Sequence, residues 1–305
     1  MKKPDTPSKS AVCFGEMLYD YLPDGRFPGG APMNVALHMH QQGIATQFIS
    51  SVGQDEDGES LLAYLSERGL PTNLIQQDPE HNTGKVLADV TQSDDVKYDI
   101  LQPVAWDFIR INDQAARAVH QADLLLYGSL ACRNETTRNT LQSLLPQARK
   151  TAFDVNLRAP YYTPERIREL LQPADIVKVN EEEFALLSEW YLNGETNESA
   201  MHQFTQQFRI ETLCITQGAA GALLLHEGKL WQQPGFRVLV SDTVGSGDAF
   251  LGTLLTLLLQ EQPPHVCLWY GCVIGAYVAT QPGATPTLDL KAIEKIISTQ
   301  PLNLL

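Results

Sequence analysis

Short runs of nearly unbroken apolar residues alternate with amphipathic stretches along most of this chain. The runs Ala11 to Phe14, Thr46 to Val52, Asp123 to Tyr127, Thr151 to Val155, Asp175 to Val179 and Leu213 to Ile215 read as buried strands. Between them the apolar spacing predicts helices. Pro32 stands in the first turn of one that Gly43 ends, and another ends at Gly69. Further helices cover Ile111 to Gln121 and Glu135 to Ala148, or begin at Thr163-Pro164-Glu165. Strands alternating with helices imply right-handed crossovers and a parallel sheet with helices on both faces. Ligands then bind in the loops that follow the strands' C-terminal ends.

Two regions break this rhythm. Thr83 to Val90 and Val96 to Leu101 alternate polar and apolar residues around a Ser93-Asp94-Asp95 turn, which predicts an antiparallel hairpin with one wet face. Alternation also continues from Met17 through Leu22, as in a strand that could join it. Near the C-terminus, Arg237 to Val240 reads as a short strand. Phe250 to Leu259 is apolar on nearly every side yet too short to span a bilayer, so a buried helix is predicted. Val266 to Ala279 reads as a second apolar helix.

Composition narrows the class. With 305 residues, 43% hydrophobic and 19% charged, the chain suits a globular enzyme of one large or two small α/β domains. A net charge of -14 argues against nucleic acid or an anionic membrane as partner. It also means that any bound nucleotide must find positive potential locally. Cys13, Cys132, Cys214, Cys267 and Cys272 form an odd set without Cys-x-x-Cys, which fits a reducing compartment. No apolar run follows Lys2-Lys3, so a cytoplasmic chain is expected. His38 and His40 lie two apart on a helix, face different ways and cannot share a metal.

The candidate chemistry centres on Ser241-Asp242-Thr243-Val244-Gly245-Ser246-Gly247-Asp248, just ahead of the apolar helix. Small residues there let backbone N–H groups crowd an anion at the positive end of a helix dipole. Asp248 would repel that anion unless it takes a proton from a hydroxyl attacking a phosphate. Read alone, the string is equally a glycine-packed helix start capped by Asp248. Other loops are similarly open. Asp154-Val155-Asn156-Leu157-Arg158 could be a loop held by an Asp/Arg pair, and Asn180-Glu181-Glu182-Glu183 a dipole complement at a helix start. Gly84-Lys85 is no P-loop, because Pro79 and Val86 stand where glycine and Ser or Thr are needed. Gly15-Glu16-Met17 after the first strand lacks the Gly-x-Gly-x-x-Gly of dinucleotide-binding oxidoreductases.

The string from Asp242 to Phe250 resembles the C-terminal signature of the PfkB (ribokinase-like) carbohydrate kinases, with Ser246 in an alanine place. Gly29-Gly30-Ala31-Pro32-Met33-Asn34-Val35-Ala36 resembles the N-terminal one, and Gly53-Gln54-Asp55-Glu56-Asp57-Gly58 a structural turn of the family. The resemblance covers nearly the whole chain, from Val12 to Thr287. It implies an α/β, three-layer ribokinase-like fold over residues 10–303, with a mostly parallel central sheet. A small β-sheet lid is expected, its strands within 17–30 and 83–105.

The implied activity is ATP-dependent phosphorylation of a sugar hydroxymethyl group. Asp248 is the base, and N–H groups around Gly245, Ser246 and Gly247 hold the phosphoryl charge. Asp20, Gly30 and Asn34 touch the sugar, joined by Arg158 if it faces that way. Asn180, Thr216, Gly218, Gly221, Gly245 and Gly247 lie along the ATP, and Glu183 organises Mg²⁺ through water. Asp242, Val244, Val278, Gln281, Gly283 and Thr287 match the positions of a structural K⁺ site. Gly-Gly-Ala-Pro-x-Asn-Val-Ala with Asp-x-Asn-Leu-Arg looks most like bacterial fructokinases, with 2-keto-3-deoxygluconate kinase and ribokinase as alternatives. A catalytically dead regulator fits less well, since Asp248 and both glycines are retained. Monomer and homodimer both stay open.

Overall fold

The computed structural model describes residues 9–22, 25–89 and 97–299. The chain opens with β1 (Ser10–Phe14) and then leaves the main sheet for β2 (Leu18–Leu22) and β3 (Gly25–Gly29). It returns through α1 (Ala31–Gln41), β4 (Ala45–Gly53), α2 (Glu56–Glu67) and β5 (Ile75–Asp78). A second excursion makes β6 (Gly84–Asp89) and β7 (Lys97–Ile100). Regular alternation follows with α3 (Asp113–Gln121), β8 (Leu124–Gly128), α4 (Glu135–Leu144), β9 (Thr151–Asp154) and α5 (Pro164–Leu171). Next come β10 (Ile176–Asn180), α6 (Glu181–Tyr191), α7 (Glu198–Phe208) and β11 (Thr212–Thr216). The hairpin β12 (Gly221–His226) and β13 (Lys229–Pro234) precedes α8 (Ser246–Leu259), α9 (Pro264–Ala279) and α10 (Leu290–Thr299).

The main sheet has nine strands in the order β13-β12-β11-β10-β9-β8-β1-β4-β5. From β5 to β11 every pairing is parallel, and β12 and β13 add an antiparallel edge. Both faces are buried, which is why its strands read as unbroken apolar runs. In β1, Val12 and Phe14 join a core with Phe184 and Leu187 of α6, while Ala11 and Cys13 face Val35 and Leu37 of α1. Helix starts carry the expected caps: the side chains of Asp55, Asn112, Asn134 and Thr163 each accept a backbone N–H in the first turn. All five cysteines are buried and free. Among the described residues no helix is long and apolar enough to cross a membrane.

The second sheet, in the order β3-β2-β6-β7, is the expected lid. Two devices fasten it to the body. Asp57 in the first turn of α2 accepts from Tyr21 Oη of β2 (2.8 Å) and from Arg26 of β3, and pairs with Lys85 Nζ of β6 (2.7 Å). Arg133 holds the far end, donating to the Leu101 carbonyl (2.6 Å) while stacked over Trp106 and paired with Asp107. The hairpin turn Ser93-Asp94-Asp95 lies outside the described residues.

Several expectations need correction. Arg237 to Val240 is not a strand: β13 stops at Pro234, and the chain turns toward the end of α9, where Ser241 N donates to Ala279 O (2.8 Å). Leu239 is 93% exposed there, so its apolar run is not a core strand. The helix expected to reach Ala148 ends at Leu144, with a 3-10 turn at Leu145–Gln147, because Pro146 has no N–H to continue it. The short strand β5, the β12–β13 hairpin and helices α7 and α10 are additions to the expected pattern.

Candidate active site

The first turn of α8 builds the centre. Gly245 has φ 74°, and a Cβ on it would stand 2.6 Å from the Ala284 carbonyl oxygen, so only glycine lets these two backbones meet. Ser246 is committed elsewhere: its hydroxyl donates to Gly275 O of α9 (2.8 Å) and its N–H to Thr243 O (3.2 Å). Of the N–H groups expected to face an anion, that of Ser246 is therefore occupied. Those of Gly245, Gly247 and Asp248 have no acceptor among the described residues, as a helix start permits. They point out at the positive end of the helix dipole, where an anion is favoured.

Asp248 sits on the same turn and receives a hydrogen bond from Asn34 Nδ2 of α1 at 2.8 Å. Burial, then the charge of Asp154, pushes its carboxyl up to about 6, while Asn34, Lys178 and Arg158 pull the other way. Gly30 caps α1 with φ 116°, and a Cβ there would stand 2.5 Å from the Glu16 carbonyl oxygen. Asp20 on β2 is pushed up to about 6 by burial, opposed by Arg158. Arg158 itself is exposed and makes no bond to Asp154; its guanidinium donates to its own loop at Leu157 O (3.0 Å). Its charge acts on Glu16, Asp20 and Asp248 together. Asn34 thus meets Asp248 directly, and the charge of Arg158 reaches both Asp248 and Asp20 of the lid.

The nucleotide-side candidates lie where β10 and β11 end side by side, Asn180 opposite Thr216. Asn180 and Glu183 form a capping box: Asn180 Oδ1 accepts from Glu183 N (2.8 Å) and Glu183 Oε2 from Asn180 N (2.8 Å). Glu183 Oε1 also accepts from Leu157 N at 2.8 Å, so this buried carboxylate locks the 157 loop to α6. Thr216 leans back on Val179 O (3.3 Å), and Gly218 opens to solvent at φ 53°. At Gly221, φ 111°, a Cβ would stand 2.6 Å from Gly235 N, so the glycine serves backbone packing. The cation-loop candidates are brought together by Gly245 against Ala284 and by Ser241 N on Ala279 O. Within them, Val244 N bonds Asp242 Oδ1 (2.9 Å), Gln281 N bonds Val278 O (2.9 Å), and Thr287 O accepts from Tyr277 Oη (2.7 Å). Gly283 has φ 75° with open space around it.

Motif reading overlooked part of the floor. Lys178 of β10 is buried and donates to Asp154 Oδ1 of β9 at 3.0 Å, the two being register partners in adjacent strands. The signal was present, since a lysine inside Ile176-Val177-Lys178-Val179 needs a buried partner. Glu16, also buried, has its carboxyl pushed up to about 7, chiefly by burial. Its Oε2 has no partner, and it lines a cavity of about 10 Å³ with Ser129, Asp154 and Asn156, room for about one water.

Residues 10–291 match the family described as pfkB family carbohydrate kinase. A fructokinase of Escherichia coli is 31% identical over 258 residues, covering 79% of this chain and 82% of the relative. Among solved structures, a fructokinase double mutant from Vibrio cholerae in fructose, ADP and potassium ion bound form is similar, with TM-score 0.81 and 25% identity. That match covers 95% of this chain and 99% of the other. A fructokinase from Xylella fastidiosa with bound ATP shares the fold, with TM-score 0.85, 23% identity and coverage of 96% and 99%.

Proposed function

Since the chain belongs to the pfkB family of carbohydrate kinases, we propose that it phosphorylates fructose with ATP to give fructose 6-phosphate. The observation that carries the phosphoryl-transfer part is the Asn34–Asp248 hydrogen bond. It joins a carboxylate at an anion hole to the polar residue of the opposite signature, so an acceptor hydroxyl and a phosphate are drawn to one point. The choice of fructose rests on the relatives and on the Asp154 to Arg158 loop.

The sugar lies between the lid and α1, with Asp20, Gly30 and Asn34 against its hydroxyls and Arg158 at the rim. Asp248 accepts the hydroxyl proton as the new O–P bond forms, and Asn34 fixes which carboxylate oxygen faces that hydroxyl. The N–H groups of Gly247 and Gly245 receive the charge that develops on the phosphoryl oxygens. ATP runs from there along Asn180, Thr216 and Gly218, on the ends of β10 and β11. Mg²⁺ would be held near Glu183 through water and would supply positive charge to the phosphates. Glu183 suits a water-mediated role, because each oxygen already accepts a backbone N–H and keeps a second lone pair. K⁺ would be held by carbonyl oxygens of the 242–244 and 278–287 segments, at the positions that match the family pattern.

An ADP-release assay across fructose, ribose, tagatose, 2-keto-3-deoxygluconate and nucleosides tests the substrate. We expect the highest kcat/KM with fructose. A clear preference for 2-keto-3-deoxygluconate would reassign the substrate, and no turnover with any acceptor would remove the activity.

A further inference from the structure

A chain of net charge -14 must supply positive potential at the phosphates from a few specific places, and one of them is built into the floor of the site. We propose that Lys178 is a catalytic residue whose ammonium contacts the transferring phosphoryl group, a step that rests on the phosphoryl-transfer reading above.

Three features of Lys178 point to an anionic ligand. The side chain occupies the middle of a core strand, where an ammonium is retained only if something repays its lost hydration. Its pairing is incomplete: among the described residues Asp154 Oδ1 is its one hydrogen-bond acceptor, and Asp154 Oδ2 has no partner. A pair kept for stability alone would satisfy more of these atoms. Finally, the ammonium lies 3.7 Å from where a Cβ on Gly247 would stand, beneath the first turn of α8. A cation at a helix N-terminus opposes the dipole, and Asp248, the carboxylate on that turn, accepts no hydrogen bond from it. An anion between the two reverses the sign of both interactions.

Neighbouring carboxylates keep the ammonium charged without using up its donors. Glu183 already accepts from Asn180 N and Leu157 N, and no hydrogen bond joins Lys178 to Asp248. Burial alone would favour the neutral amine, but the charges of Asp154, Glu183 and Asp248 outweigh it and keep Lys178 protonated. In the reaction, the sugar oxygen bonds to the γ-phosphorus as the bond to the β,γ-bridging oxygen breaks. The hydroxyl proton passes to Asp248 and ADP leaves. Lys178 keeps its proton throughout and donates hydrogen bonds to the phosphoryl oxygens alongside Gly247 N.

Titration calorimetry separates this role from a structural one. Magnesium ADP is bound alone and then with aluminium fluoride, a stand-in for the phosphoryl group, in saturating fructose or the best acceptor of the panel above. Wild-type protein should bind ADP more tightly with the fluoride. Lys178→Met should lose about ten- to a hundredfold of that tightening. Its affinity for ADP alone should change by less than about threefold. Because Lys178→Met strands a buried Asp154, the double variant Lys178→Met/Asp154→Leu replaces the pair by apolar groups and should show the same selective loss. Full tightening retained in either folded variant overturns the proposal. Absence of tightening in the wild type would instead sink the phosphoryl-transfer reading, and this inference with it.

Discussion

At the scale of single residues the proposed chemistry rests on Asp248. Asp248→Asn keeps the size and the bond to Asn34 but cannot take a proton, so kcat should fall by about 10²–10⁴-fold. The fructose dissociation constant should move by less than about tenfold. If Asp248 only capped α8, asparagine would serve almost as well, and a variant near wild-type rate would remove the mechanism. The pH profile gives a second check. The base works ionised, and burial raises its carboxyl to about 6, so kcat/KM should be full above that pH and fall below it. Asp20 is raised to the same range, so the limb is measured in Asp20→Asn as well, where it should persist. A limb near the ordinary carboxylate value of about 4 would contradict the raised carboxyl.

Among elements, the lid shows best what patterning reveals and what it hides. The alternation in residues 83–101 announced a half-wet hairpin, and β6 and β7 pair antiparallel as that pattern requires. Its attachment was not legible, because Asp57, Tyr21, Arg26 and Lys85 come from α2 and from strands β2, β3 and β6. One carboxylate of the body gathers donors from all three strands. Asp57→Ala removes that hold while leaving the proposed sugar-binding residues unchanged. The lost charge-assisted bonds amount to about 1.5–3 kcal/mol, so the fructose KM should rise about ten- to a hundredfold. ATP hydrolysis without acceptor should rise as well, since a looser lid admits water. Unchanged KM and unchanged hydrolysis would show that the lid holds its place without Asp57.

For the molecule as a whole, distant parts of the chain meet at the loop around Ala284. Gly245 packs on its backbone, His38 Nε2 of α1 bonds its carbonyl oxygen (2.9 Å), and Tyr64 Oη of α2 bonds Thr285 Oγ1 (2.5 Å). His38 is neutral, its imidazole pushed down to about 4 by burial, so this joint is insensitive to pH near neutrality. The proposed anion hole therefore depends on how well that loop is ordered. If K⁺ occupies the carbonyl-rich turns beside it, turnover should be higher in K⁺ than in Na⁺ or a bulky organic cation, without a change in the acceptor that is preferred. Equal rates in all three would remove the cation from the proposal.

Local windows of sequence determined most of the element types between β1 and α9, though not the 237–240 segment, β5, the β12–β13 hairpin or α7. Apolar runs buried on both faces, glycines where backbones meet, and small polar caps are demands that a few neighbouring residues satisfy by themselves. Partner choice was decided by tertiary structure. Asn34 reaches Asp248 across 214 positions only because α1 and α8 cover the same face of the sheet. Asp154 pairs with Lys178, not with nearby Arg158, because parallel register sets β9 beside β10 with those two side chains opposite each other. Leu239 and Val240 read as strand but are exposed, since the chain there follows the end of α9 and leaves the sheet. A buried charge or an apolar residue takes its meaning from what strand order and helix packing bring against it, and no short window of sequence contains that information.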